Sequence, residues 1–149
     1  MKFPSPVSLT WLSEFLDAKL VGNAGASATG INEIHKVEKG DLVFVDHPKY
    51  YQKCLDSAAS FIIINQPVDC PPGKALLIVE QPFEAYQKIV RQFRPFEGAV
   101  QAISPNARIG ETTYLYPGVF VGSHVQIGER CVIHPNVVIM DHCVIGSDV

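Results

Sequence analysis

The apolar positions of this chain change rhythm along its length. Near the start, Leu9, Leu12, Phe15, Leu16 and Leu20 recur at intervals of three and four, the spacing of one face of a helix, with Ser8 placed to cap it and Gly22 to end it. In the middle, short stretches are continuously apolar: Leu42 to Val45, Phe61 to Ile64 and Ala75 to Val79. Strands buried on both faces of a parallel sheet read this way. From Ile103 onwards an aliphatic stands at every sixth place: Ile103, Ile109, Leu115, Val121, Ile127, Ile133, Ile139 and Ile145.

The punctuation between these segments completes the first hundred residues. Gly22 to Gly30 is rich in glycine and alanine and reads as a loop, after which Ile31 and Ile34 begin a strand-like segment. Lys39-Gly40-Asp41 turns into the strand that starts at Leu42. Pro48 breaks that strand, and Tyr50 to Ser57 suits a short helix. Asn65 to Gly73 is a loop with prolines. Pro82 sits at a helix N1 position, with Phe83, Tyr86, Ile89, Val90 and Phe93 on the apolar face of the helix that follows. Helices alternating with buried strands predict a compact α/β module. Arg94 to Gln101, which carries Pro95 and Gly98, is the boundary, so the expected domains are residues 1–98 and 99–149.

A period of six fits neither the 3.6 of a helix nor the two of a strand. It fits a parallel β-helix of hexapeptide repeats, whose aliphatics point into the bore while polar residues turn the corners. The residue four places after each aliphatic is small or β-branched (Ala107, Thr113, Val119, Val125, Cys131, Val137, Cys143, Val149), and glycine follows the aliphatic at 110, 122, 128 and 146, where it suits a sharp bend. Three faces make one coil of eighteen residues. Ile103, Val121 and Ile139 are therefore expected to stack at the ~4.8 Å strand spacing, as are Ile109, Ile127 and Ile145, giving about two and a half coils. Solenoids close their ends with atypical polar repeats. None is visible before Val149, so the expectation is a β-helix cut short and a fragment of a longer protein.

Composition narrows the partners. With 149 residues, a formal net charge of -3 and a pI near 5.9, neither nucleic acid nor an anionic membrane surface is favoured by charge. The N-terminus lacks the apolar run and cleavage site of a secretory signal, and no stretch is long enough to be a transmembrane segment. Cys54, Cys70, Cys131 and Cys143 show neither a C-x-x-C pair nor zinc-site spacing, and Cys131 and Cys143 fall on different faces of the coil. A reduced, cytoplasmic protein is the simplest account.

The densest chemistry of the first domain lies in Phe44-Val45-Asp46-His47-Pro48-Lys49-Tyr50-Tyr51. Phe44 and Tyr50, on either side of a proline-broken turn, are placed either to sandwich a flat base, with His47 and Lys49 reaching its polar edges or a phosphate, or to serve simply as core and helix surface. Stacking contributes ~1–3 kcal/mol per base. In the solenoid, His124 and His142 are equivalent by the eighteen-residue repeat, whereas His134 is out of phase. That spacing argues against a shared metal, so no metal and no cofactor is expected. Glu129 and Asp141 read as solvated turn residues. No phosphate loop, G-x-G-x-x-G, G-x-S-x-G or H-E-x-x-H is present.

Three segments together carry a family resemblance: Gly30-Ile31-Asn32-Glu33-Ile34 with Lys39-Gly40-Asp41-Leu42 and Phe44 beyond, the turn His47-Pro48-Lys49-Tyr50, and the repeats from Ile103. On these the chain resembles the UDP-3-O-(3-hydroxyacyl)glucosamine N-acyltransferases of lipid A biosynthesis, N-terminal portion only. The resemblance implies a uridine-binding α/β domain followed by a left-handed β-helix, with the uracil between the rings matching Phe44 and Tyr50 and with His47 and Lys49 beside them. The family commonly has asparagine where this chain has His47, and serine or threonine where it has Val43. It further implies transfer of a 3-hydroxyacyl chain from acyl carrier protein to the 2-amino group of UDP-3-O-acylglucosamine, with a histidine general base, in a homotrimer. The motif bearing that histidine is not found here, so no catalytic residue is assigned. The chain is expected to bind uridine nucleotide without transferring acyl groups. A different class of reading is a non-catalytic nucleotide-sugar binding module on a trimerising β-helix stalk.

Overall fold

The continuous apolar runs become the centre of a six-stranded sheet. In the computed structural model of the chain, which describes residues 1–149, the elements up to Phe93 are β1 (Lys2–Ser8), α1 (Leu9–Leu16), β2 (Lys19–Gly22), β3 (Ser27–Ile31), β4 (Asp41–Val45), a 3-10 turn (Pro48–Tyr50), α2 (Tyr51–Leu55), β5 (Phe61–Ile64), β6 (Ala75–Ile78) and α3 (Pro82–Phe93). The strand order is β1-β3-β4-β5-β6-β2. The four inner strands are mutually parallel, and β1 and β2 flank them antiparallel to β3 and β6.

Alternation along the inner strands builds two cores, because successive side chains leave opposite faces. Leu42, Phe61, Ile63, Ala75 and Leu77 pack on one side with Leu9 and Leu12 of α1 and Ala85 and Ile89 of α3. Val43, Val45, Ile62, Ile64 and Leu76 pack on the other with Tyr51, Cys54 and Leu55 of α2. No residue of β5 is exposed, which is why its sequence shows no polar beat.

The edges depart from the sequence reading. Ser8 does cap α1, its hydroxyl accepting from the Trp11 N–H at 3.2 Å, but the helix stops at Leu16 rather than near Gly22. Asp17 enters the left-handed region (φ 52) and Ala18 N–H returns to the Ser13 carbonyl at 2.8 Å, ending the helix without glycine. Leu20, which keeps helical spacing, instead pairs with Leu77 in β2. The loop expected over 22–30 contains β3 from Ser27, while Ile34 lies beyond that strand. Lys2–Ser8 holds two prolines and is an edge strand with a register shift, the position where missing N–H donors are tolerated.

Residues 96–149 form a second compact unit. Two-residue strands β7 (Arg108–Ile109), β8 (Tyr114–Leu115), β9 (Phe120–Val121), β10 (Gln126–Ile127), β11 (Val132–Ile133), β12 (Val138–Ile139) and β13 (Val144–Ile145) lie in three parallel sheets, ordered β13-β10-β7, β11-β8 and β12-β9. Pairings run eighteen residues apart: Ile127 with Ile109 and Ile145, Val121 with Ile139, and Ile103 bridging Val121. This is a parallel β-helix of hexapeptide repeats. Val121, Val125, Ile127, Cys131, Ile133 and Ile139 fill the bore.

The repeat glycines serve a different purpose from the bend expected of them. Gly110, Gly122, Gly128 and Gly146 are not in the positive-φ region. A Cβ on Gly122 would lie 2.7 Å from the Asp141 amide nitrogen, and one on Gly128 2.7 Å from the Ser147 amide nitrogen, so glycine there lets the next coil approach. The left-handed corners fall two residues further on, at Gly118, His124, Arg130, Asn136, His142 and Asp148, with φ from 57 to 80. No helix of the molecule is long and apolar enough to cross a membrane.

Candidate functional site

Parallel strands bring their carboxyl ends to one edge of the sheet, and in open α/β sheets ligands bind in the crevice beyond that edge. The turn leaving β4 is held from several sides. His47 is extended (φ -117, ψ 127) and its Nδ1 accepts the Lys49 N–H at 3.2 Å. Pro48 starts the 3-10 turn, and Tyr50 N–H bonds the His47 carbonyl at 2.9 Å. Asn65, just past β5, donates from its amide to the Asp46 carbonyl at 2.9 Å and accepts the Tyr51 hydroxyl at 2.5 Å.

At this edge lies a pocket of about 430 Å³ lined by Phe44, Tyr50, Glu33, His35, Lys53 and Cys54, among others. The Phe44 ring is backed by α3, 4.8 Å from the Tyr86 ring and 5.7 Å from that of Phe83. Tyr50 is 50% exposed, with the His47 ring 6.0 Å away and the Lys49 ammonium 5.6 Å from its ring centre. The fold thus brings Phe44 and Tyr50 to one pocket. His47 and Lys49 flank Tyr50 without lining the pocket, and one His47 nitrogen is occupied by the turn. Burial pushes the Cys54 thiol above its ordinary value, which keeps it protonated.

Glu33, His35 and Lys53 were not singled out from the sequence. They come from the segment after β3 and from α2, and the parallel pairing of β3 with β4 sets Glu33 and His35 beside Phe44. The loop that carries Glu33 and His35 is anchored by Asp41. Its buried carboxylate accepts from the Lys2 ammonium at 2.8 Å, the Asn32 amide at 2.7 Å and the Glu38 N–H at 3.1 Å. The Met1 ammonium adds bonds to the Ile31 carbonyl at 2.7 Å and to Asn32 Oδ1 at 2.5 Å. Burial by itself raises the Asp41 carboxyl, but the bonds from Lys2, Asn32 and Glu38 outweigh it and hold the group below its ordinary value.

Other concavities offer less chemistry. One of about 870 Å³ between α1 and α3 is faced by Glu80, Glu84, Lys88 and Arg91 and contains no paired rings, nucleophile or buried base. In the β-helix the His124 and His142 rings stack at 5.1 Å and 10°, with Glu97 Oε1 3.3 Å from His124 Nε2. His134 stacks on Tyr116 at 5.6 Å. No group of three or more His, Cys, Asp or Glu side chains is arranged to hold a metal. Glu129 and Asp141 are more than solvated turn residues. Asp141 accepts the Ser123 N–H at 2.8 Å, and Glu129 accepts the Thr112 N–H at 3.0 Å and hydroxyl at 2.6 Å, bonds that tie one coil to the next and lower the Glu129 carboxyl.

Comparison with known proteins covers both units. Residues 27–92 match the family described as UDP-3-O-(3-hydroxymyristoyl) glucosamine N-acyltransferase, LpxD, and residues 106–141 and 124–149 match bacterial transferase hexapeptide repeats. The chain is 29% identical over 123 residues to a UDP-3-O-acylglucosamine N-acyltransferase of Syntrophotalea carbinolica, across 78% of this chain and 36% of that protein. It is 30% identical over 123 residues to the protein of that name from Syntrophus aciditrophicus, across 78% and 34%. The Christiangramia forsetii protein of the same name is 32% identical over 125 residues, across 83% and 36%. The chain spans about a third of the length of these curated relatives.

Proposed function

We propose, from its similarity to the UDP-3-O-acylglucosamine N-acyltransferases, that the chain supplies a uridine-binding domain and β-helix coils of such an enzyme. The reaction is transfer of a 3-hydroxyacyl group from acyl carrier protein to the 2-amino group of UDP-3-O-acylglucosamine, in the cytoplasm, by a homotrimer. Residues 1–98 take the uridine, and residues 99–149 begin a left-handed β-helix of about two and a half coils.

One observation carries the binding reading. Phe44 and Tyr50 line a single pocket at the carboxyl edge of parallel strands, inside the segment that matches the family. The Phe44 ring is fixed from behind by Tyr86, and Tyr50 is free to close over a planar base. His47 and Lys49 complete the site from beside Tyr50, the imidazole by its uncommitted nitrogen and the ammonium by reaching a polar edge of the base. No histidine of the β-helix is assigned the role of base, because none of His124, His134 and His142 stands in the motif that bears it in the family the chain resembles. The 149-residue chain accordingly binds nucleotide and leaves an acyl thioester intact.

Titration of UDP-N-acetylglucosamine against the wild type and Tyr50→Ala, followed calorimetrically, tests the site. Loss of one stacking face lowers affinity by about 5- to 100-fold. Equal affinity for both proteins removes the aromatic sandwich, and acyl transfer by the purified chain removes the assignment of an inactive solenoid.

A further inference from the structure

Beyond the two rings, the pocket wall carries polar side chains that nothing above has given a role. Glu33 stands just past β3, exposed, its carboxylate without a hydrogen-bonding partner. Lys53 projects from α2 into the same pocket and takes part in none of the molecule's ion pairs. Apart from His35, it is the only basic side chain on the wall. Lys49, the nearer lysine along the chain, is off the wall, its ammonium associated with the Tyr50 ring.

From these placements we propose that Glu33 receives the ribose hydroxyls and Lys53 the diphosphate of the bound nucleotide. The proposal rests on the uridine-binding reading and deepens it. A ribose offers two neighbouring O–H donors, and a carboxylate is acceptor-only with two oxygens, so the two are complementary. An acidic side chain just past a parallel strand takes a ribose hydroxyl in the same way in dinucleotide-binding sheets. The diphosphate needs the opposite chemistry. Glu33 and Asp46 carry the same sign of charge and repel it, so Lys53 on α2 is the ammonium of the pocket lining that attracts the phosphates. Base, sugar and phosphate are then read by three different elements: the turn after β4, the segment after β3, and α2.

The test compares uridine, UDP and 2′,3′-dideoxyuridine diphosphate on the 149-residue chain by calorimetry, in the wild type, Lys53→Ala, Lys49→Ala, Glu33→Gln and Tyr50→Ala. The wild type is expected to prefer UDP to uridine. Lys53→Ala lowers UDP affinity about tenfold and changes that for uridine less than about twofold, with a shallower salt dependence. Glu33→Gln narrows the preference for UDP over the dideoxy analogue by about five- to tenfold. Both substitutions are at exposed positions, and unchanged thermal unfolding shows that each variant is folded. An unaltered UDP-to-uridine ratio in Lys53→Ala, or a ratio that collapses in Lys49→Ala instead, overturns the phosphate assignment. An unaltered dideoxy ratio in Glu33→Gln overturns the ribose assignment. If Tyr50→Ala still binds uridine as the wild type does, the base-binding reading fails separately, and a wild type that binds none of the three overturns both.

Discussion

The two units bury apolar surface in opposite ways. In the α/β unit a central strand such as β5 touches helices on both faces, and its residues contact partners drawn from Phe3 to Ile89. In the β-helix each inward aliphatic meets equivalents eighteen residues away, so packing is between neighbouring coils. The first arrangement places loops from distant segments at one sheet edge, which is what assembles a pocket. The second repeats a corner with small variations: a histidine stack at 124 and 142, a bidentate Arg130–Asp148 pair at 2.6 and 2.7 Å, and glycine facing asparagine at 118 and 136. A regular scaffold and a pocket-bearing sheet thus come from short-period and long-range contacts respectively.

The largest effect is expected where contacts converge. Ile63→Ala, fully buried in β5, costs about 2–5 kcal/mol in urea unfolding followed by the fluorescence of Trp11, which sits over the same core. A change under about 1 kcal/mol breaks the picture of a two-sided core. In the solenoid the sensitive positions are those of close coil approach. Gly122→Val is expected to cost about 1–3 kcal/mol and to speed hydrogen exchange of the Ser123 amide bonded to Asp141, whereas Gly146→Ala, with nothing within 4 Å of its added carbon, is neutral. Equal effects at the two glycines would mean that coil spacing does not require glycine.

Charge sharpens the contrast further. The folded-state pKa of Asp41 is lowered, so its contribution to stability is complete above the unfolded carboxyl value and is lost as pH falls through the folded one. Asp41→Asn is therefore expected to cost about 1–3 kcal/mol at neutral pH and to flatten the acid limb of stability below the ordinary carboxylate range. An unaltered acid limb places that proton uptake elsewhere. Arg130→Ala is the smallest change. Its pair with Asp148 is well exposed on both sides, so the smallest loss of stability in this set is expected, and that loss fades with salt.

Much was legible along the chain, and for a local reason. The β-helix register is written in every sixth residue because each contact repeats at a fixed separation, and β5 is visible because burial on both faces leaves an unbroken Phe61–Ile64 run. The Phe44 to Tyr50 segment is similarly legible, since one short turn separates the rings. Leu20 shows the limit: its spacing is helical, yet the free edge of β6 draws it into β2, and the left-handed Asp17 that ends α1 has no glycine to announce it. Lys2–Ser8, with Pro4 and Pro6, is a strand only because β3 offers it an edge.

Local periodicity settles which segments are apolar on which face, because each side chain's direction follows from its own backbone. Tertiary pairing settles which segments become neighbours. It sets Glu33 and Lys53 on one wall with Phe44, buries Asp41 against Lys2 and Asn32, and turns Gly110, Gly122 and Gly128 from presumed bends into points of coil contact. These features depend on separations that no single stretch of sequence contains. The eighteen-residue coil is the exception, since there the long-range contact is itself periodic.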